Sequence, residues 1–213
     1  MNVGIIDYGV GNLGSVVRAL EELRVSPTLV NRAVDLHHCD CMILPGVGNF
    51  TDCMRLLDIN GWSASIKEEV IAYNKPLLGV CLGMQLLASC GFEGADDSIF
   101  GTPGLGFVPG RVEHLTRLGC RSRVPHVGWN NIVATSAGRQ LFNGIPDETD
   151  FYFVHSYGFV PLDQQDILAT TEYDIDIVAA IQRGRVWGTQ FHPEKSSRAG
   201  FQLLRNFITG PAC

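Results

Sequence analysis

The chain has 213 residues, 46% hydrophobic and 18% charged, which is enough to bury a substantial core in one domain or at most two and excludes disorder as the main state. With 16 Lys and Arg against 22 Asp and Glu the formal charge is -6, so no general attraction to phosphate backbones or anionic lipid is expected. No apolar run approaches the roughly 20 residues that span a bilayer, and the opening Met1 to Asp7 has neither the basic nor the apolar part of a signal peptide, which predicts a cytosolic protein.

In chain order, strands are predicted over 3–6, 28–30, 42–44 and 76–80, and helices over 14–23, 51–57, 63–73 and 83–88. Short apolar runs alternating with helical patterns imply βαβ crossovers and a parallel sheet covered by helices on both faces. The second half changes character, with strands predicted over 107–112, 131–134, 151–154, 167–171, 177–182 and 186–190. Arg183-Gly184-Arg185 reads as a hairpin turn between the last two. A closing helix over 199–208 places Phe201, Leu204, Phe207 and Ile208 on one face. Without repeats or linkers, residues 1–213 are expected to form a single α/β domain, its central and mostly parallel sheet flanked by helices and gaining antiparallel strands late.

The seven cysteines are an odd number in a chain with no export signal, so a disulfide framework is not expected. His37-His38-Cys39-Asp40-Cys41 has the residue types of a metal cluster, but its C-x-C spacing and the apolar run it opens favour a loop entering a buried strand. Gly9-Val10-Gly11-Asn12-Leu13-Gly14 matches G-x-G-x-x-G. The second strand is followed by Asn31-Arg32 instead of an acidic residue, which speaks against NAD, although Arg32 leaves a 2′-phosphate open. The other reading is a glycine-rich turn presenting Asn12 to a partner or ligand.

The stronger signal is an apolar strand running into Gly79-Val80-Cys81-Leu82-Gly83 and then a helix, a nucleophile elbow with cysteine for serine. The sharp turn requires small residues two before and two after the nucleophile, and the following helix favours the thiolate. A buried strand cysteine is the bland alternative. Acyl transfer also needs a base, a group to orient it and an oxyanion hole. In Gln190-Phe191-His192-Pro193-Glu194 the side chains at i and i+2 project together, so Glu194 can accept a hydrogen bond from His192. Pro45-Gly46-Val47-Gly48 is a flexible turn whose amide can face Cys81 together with that of Leu82.

Pro45 to Gly48, Gly79 to Gln85 and Phe191 to Lys195 together resemble the three signatures of the class I, or triad, glutamine amidotransferases. Within that class the sequence is similar to the glutaminase subunits of imidazole glycerol phosphate synthases, through Ile5 to Gly9 with Gly11-Asn12, Pro125 to Asn130, and Tyr152 to Tyr157. The resemblance implies the class I amidotransferase fold and a glutaminase that passes ammonia to a separate (β/α)8-barrel cyclase subunit, forming a heterodimer in histidine biosynthesis. It implies no cofactor and no metal. It makes Cys81 the nucleophile, His192 the base and then acid, and Glu194 the orienting carboxylate, with backbone amides at Gly46, Val47 and Leu82 forming the oxyanion hole. Gln85, Ser156 and Tyr157 match positions that hold the amino-acid end of glutamine, and Asn12, Trp129, Tyr152 and Lys195 match interface or gating positions. His126 and His155 are assigned to scaffold or substrate surroundings. Val127, where methionine is frequent, and the stretch 88–100 depart from the pattern. They keep open a paralogue supplying ammonia for amidination of a sugar in surface-polysaccharide synthesis.

Overall fold

The computed structural model of the chain describes residues 1–95 and 99–210, which leaves Cys213 and part of the stretch 88–100 outside the described residues. The first half alternates β1 (Val3–Ile6), α1 (Leu13–Glu22), β2 (Thr28–Val30), β3 (Cys41–Gly46), α2 (Phe50–Ile59), α3 (Trp62–Ile71), β4 (Leu77–Cys81) and the single-turn α4 (Leu82–Gln85). Two short strands follow, β5 (Cys90–Gly91) and β6 (Thr102–Pro103), then β7 (Gly110–His114), β8 (His126–Asn131) and β9 (Val133–Ala134). The chain continues through β10 (Asp150–His155), β11 (Tyr157–Pro161), β12 (Ile167–Tyr173), β13 (Ile175–Arg183), β14 (Val186–Thr189) and α5 (Ser197–Thr209).

The eight-stranded sheet has the order β2-β1-β3-β4-β14-β13-β12-β9. Its first five strands are mutually parallel, and the last three continue antiparallel from β14. Successive side chains of a strand point to opposite faces, and the core divides accordingly. Val3, Ile5, Ile43, Leu78 and Val80 pack with Val16 and Leu20 of α1 and Leu203, Leu204 and Phe207 of α5. Ile6, Met42, Leu44 and Leu77 pack with Met54 and Leu57 of α2 and Trp62 and Ile66 of α3. Being covered on both faces is what makes the strands read as continuous apolar runs. A four-stranded sheet, β11-β7-β5-β6, and a two-stranded ribbon, β10-β8, stand apart from the main sheet.

Several boundaries differ from the sequence expectation for identifiable reasons. The strand expected over 107–112 begins only at Gly110, because Pro109 has no N–H to give to a ladder. The strand expected over 131–134 is two: Asn131 ends the ribbon opposite Asp150, whereas Val133 and Ala134 join β12 at the edge of the large sheet. β8 and β11 have no counterpart in the apolar pattern, since His126-Val127-Gly128-Trp129-Asn130-Asn131 is poor in β-formers. The helix expected over 83–88 ends at Gln85 and tightens, with Leu87 N–H donating to Met84 and Ala88 N–H to Gln85. Residues 33–38 form a 3-10 turn, and Cys39 and Cys41 are buried. Among the described residues no cluster is placed to hold a metal ion, and no helix is long and apolar enough to cross a membrane.

Candidate active site

The site is built where three parallel strands end side by side. Cys81 closes β4, with Gly46 of β3 paired directly opposite it. On the other side β14 pairs Thr189 with Val80, which brings the following Gln190-Phe191-His192 past the sulfur. Cys81 has φ 55° and ψ -112°, a conformation that L-residues avoid and that costs about 1 to 3 kcal/mol. The surrounding glycines over-determine it. A Cβ on Gly79 would strike the backbone of Gly83 and Met84, one on Gly83 would overlap the Leu44 carbonyl, and one on Gly46 would strike the Gly83 amide. Glycine at these positions is therefore a requirement of the turn.

His192 Nδ1 donates to Glu194 Oε1 at 2.7 Å, which leaves Nε2 for its hydrogen bond with Cys81. Burial disfavours a charged ring here, but the hydrogen bonds to Cys81 and Glu194 and their negative charges outweigh it and raise His192 from 6.5 to about 9. The backbone around His192 is pinned as well. His192 N–H donates to the Tyr152 carbonyl at 2.9 Å, and Ser196 Oγ both donates to the His192 carbonyl at 2.7 Å and accepts from Tyr152 N–H at 3.0 Å.

Cys81 and His192 open onto a cavity of about 220 Å³, whose lining also includes Val47, Leu82, Gln85, Ser156, Tyr157 and Lys195. The structure thus brings together the residues that sequence reasoning scattered over more than a hundred positions. Gln85 is almost fully buried, and its Nε2 donates to the Tyr157 carbonyl at 3.0 Å and to Gln190 Oε1 at 2.9 Å. Tyr152 and Trp129 sit just outside, paired across the ribbon with rings 6.0 Å apart, and Lys195 Nζ lies 5.8 Å from the Tyr152 ring. Asn12 precedes α1 as an exposed residue and makes no side-chain cap. Arg32, the residue left open for a 2′-phosphate, is instead paired with Asp35 through contacts of 2.6 and 2.7 Å.

Sequence reasoning missed three contributors. Glu93 lines the cavity, its carboxylate accepting from Phe50 N–H at 3.1 Å and pushed up by burial. Gln190 and Ser196 flank the His192 motif, and their proximity to it was the available signal. The two histidines assigned to scaffold or substrate surroundings, His126 and His155, form one buried unit. His155 Nδ1 donates to the Tyr157 carbonyl at 2.8 Å, so its Nε2 accepts from His126 Nδ1 at 3.0 Å. Burial lowers His126 to about 4 and His155 to about 3, so both are neutral near pH 7, and His126 stacks between Phe153 and Tyr173.

Comparison with known proteins agrees with this geometry. The family model "Glutamine amidotransferase class-I" matches residues 4–210. The chain belongs to the class-I glutamine amidotransferase family. Among similar members, the imidazole glycerol phosphate synthase subunit HisH of Moorella thermoacetica is 45% identical over 205 residues, covering 96% of this chain and 93% of that protein. The protein of the same name from Pelagibacter ubique is 38% identical over 98% of this chain and 99% of its own length. A glutamine amidotransferase crystal structure superposes with a TM-score of 0.74 at 21% identity, covering 97% of this chain and 96% of that one, a likeness of fold. In this class-I amidotransferase the cysteine and histidine lie together at one cavity with the glutamate buried behind the histidine, an arrangement able to carry out acyl transfer through a thioester.

One electrostatic consequence is measurable. Because the folded His192 value lies above its unfolded 6.5, its stabilising contribution is fully present below about pH 6.5 and lost as pH rises through about 9. In Glu194→Gln the amide keeps the shape but not the charge, so the ring should titrate well below 9 by NMR. The stability gap between wild type and variant, read by urea unfolding, should narrow above pH 9. A gap that does not change with pH would show that His192 carries no proton from this pairing.

Proposed function

We propose that the chain is the glutaminase subunit of an imidazole glycerol phosphate synthase, hydrolysing L-glutamine to glutamate and ammonia, with residues 1–213 acting as one domain. The observation that carries this reading is Cys81 and His192 at one cavity beside the Gly46–Val47 turn, with Glu194 paired to the far side of the His192 ring. Relatives between 38% and 45% identical over nearly the whole chain bear that subunit name, which favours it over a paralogue serving sugar amidination.

In the proposed cycle, glutamine lies in the cavity with its α-ammonium toward Glu93 and its α-carboxylate toward Ser156 and Tyr157. The Cys81 sulfur adds to the side-chain amide carbon while the amides of Val47 and Leu82 receive the developing oxyanion. His192, carrying the proton, gives it to the departing nitrogen, so the C–N bond breaks, ammonia leaves and a γ-glutamyl thioester remains. His192 then takes a proton from water, the resulting hydroxide adds to the thioester, and collapse releases glutamate and regenerates the sulfur. Glu194 holds the imidazole in the required tautomer throughout.

The ammonia needs a consumer, and the ribbon beside the cavity is the surface we assign to it. Val127 and Trp129 of β8 are 55% and 53% exposed, and Val47 of the turn is 41% exposed. Large apolar residues grouped around a catalytic mouth fit a protein partner better than solvent. The partner is a (β/α)8-barrel cyclase, with Tyr152, Lys195 and Asn12 at the rim of contact.

Two results test these assignments. Cys81→Ser should abolish synthesis driven by glutamine and leave synthesis from added ammonium salt intact in the two-subunit complex. Equal loss of both would make Cys81 a structural residue. Trp129→Ala should weaken binding of the cyclase or ammonia delivery to it by about 10-fold or more, as truncation of an interface aromatic commonly does. Unchanged affinity and unchanged coupling would remove the ribbon from the interface.

A further inference from the structure

Gln190 is fully buried, yet neither the triad nor the substrate assignments account for it. A buried primary amide is costly unless its donors and acceptor are matched, so its partners identify what it is for. Its orientation can be read outward from an unambiguous atom. The Tyr157 carbonyl oxygen can only accept, so the Gln85 group 3.0 Å away is the NH2. The second N–H of Gln85 points at Gln190 from 2.9 Å and must meet its oxygen. The Gln190 NH2 is thereby turned toward Cys81, with Nε2 3.9 Å from Sγ. Gln190 is itself anchored by its backbone, whose N–H donates to the Ala179 carbonyl at 2.8 Å.

We infer that Gln190 is a further catalytic residue, its amide N–H donating to the Cys81 sulfur and stabilising the thiolate, and that Gln85 is the positioning residue that keeps this amide the right way round. Besides His192, the sulfur has the Val154 carbonyl 3.8 Å away, an acceptor that serves only the protonated thiol. With His192 already favouring the thiolate, the Gln190 N–H adds a second donor against the single Val154 acceptor, and a thiolate is much the better acceptor for Gln190. The same N–H remains available when the sulfur is expelled from the thioester, so it assists both formation and breakdown of the intermediate. The titratable groups that also face this cavity are His192, Lys195, Glu93, His155 and Tyr157, with Tyr8 close behind the sulfur.

This inference rests on the glutaminase reading for its effect on turnover, but its test reads the sulfur directly. In the full chain, the rate of Cys81 alkylation by iodoacetamide is followed against pH, with the modified peptide quantified by mass spectrometry. Gln190→Glu keeps the shape, still accepts from Gln85 and replaces the donor with an oxygen. The alkylation profile should move to higher pH, and glutamine turnover near pH 7 should fall about 10-fold or more, the effect expected for losing a hydrogen bond to a charged group. Gln190→Met, which removes the donor without adding charge, should shift the profile in the same direction by less and covers the case in which the carboxylate disturbs folding. A wild-type alkylation profile in either folded variant would overturn the inference while leaving the glutaminase reading untouched. An absence of glutaminase activity in the wild type with its cyclase would sink that reading and not the hydrogen bond.

Discussion

At Cys81 two strand ends and the start of a helix pack so closely that no side chain fits between them, and the groups around the sulfur are placed by that contact. Gly46, Gly79 and Gly83 let the β3, β4 and α4 backbones touch, and the touching backbones hold Cys81 at a positive φ it would not adopt alone. The cost, about 1 to 3 kcal/mol, is met by cores on both faces of the sheet and not by anything in the cavity. Strand order then does the rest. β3 delivers the Gly46–Val47 turn to one flank of the sulfur, and β14 delivers Gln190 and His192 to the other. Residues far apart in sequence become neighbours because parallel strands end at the same edge of the sheet.

The site also shows how one residue type is driven in opposite directions by its surroundings. His192, with a carboxylate behind it and a sulfur in front, is raised to about 9, whereas His155, buried on the same cavity without a charged partner, falls to about 3. The first can carry a proton near neutral pH, and the second serves as a fixed link between the Tyr157 carbonyl and His126. His126 in turn meets Asn130 Nδ2 at 3.4 Å, and that group donates to the Glu172 carbonyl at 2.8 Å. A continuous chain of polar contacts therefore runs from the Gln85–Gln190 pair beside the sulfur to the strand that bears Trp129.

Those features carried by local patterns were legible in the sequence. The elbow could be read because steric demand fixes glycine at set distances from Cys81, and the His192–Glu194 pair because two residues apart in an extended segment share a side. The β/α alternation of the first half could be read because strands covered on both faces are apolar throughout. What was not legible depends on neighbours brought in from elsewhere. Nothing near Glu93 in the chain indicates that it lines the cavity of Cys81 and His192, since only the packing of its segment against α2 puts it there. The role of Gln190 is set by Gln85, whose own role as a candidate substrate ligand concealed that both of its N–H groups are already engaged. The ribbon strand β8 escaped notice because its register comes from β10 and not from an apolar alternation of its own.

The proposed cycle requires the strained Cys81 to form a covalent acyl intermediate with glutamine. The most direct measurement is to mix the chain and its cyclase with glutamine, quench in acid within the turnover time and map the adduct by peptide mass spectrometry. We expect a γ-glutamyl thioester on the peptide containing Cys81, absent when Cys81 is replaced by alanine and not accumulating when His192 is replaced by alanine. Steady release of glutamate with the acyl group on any other residue would contradict it.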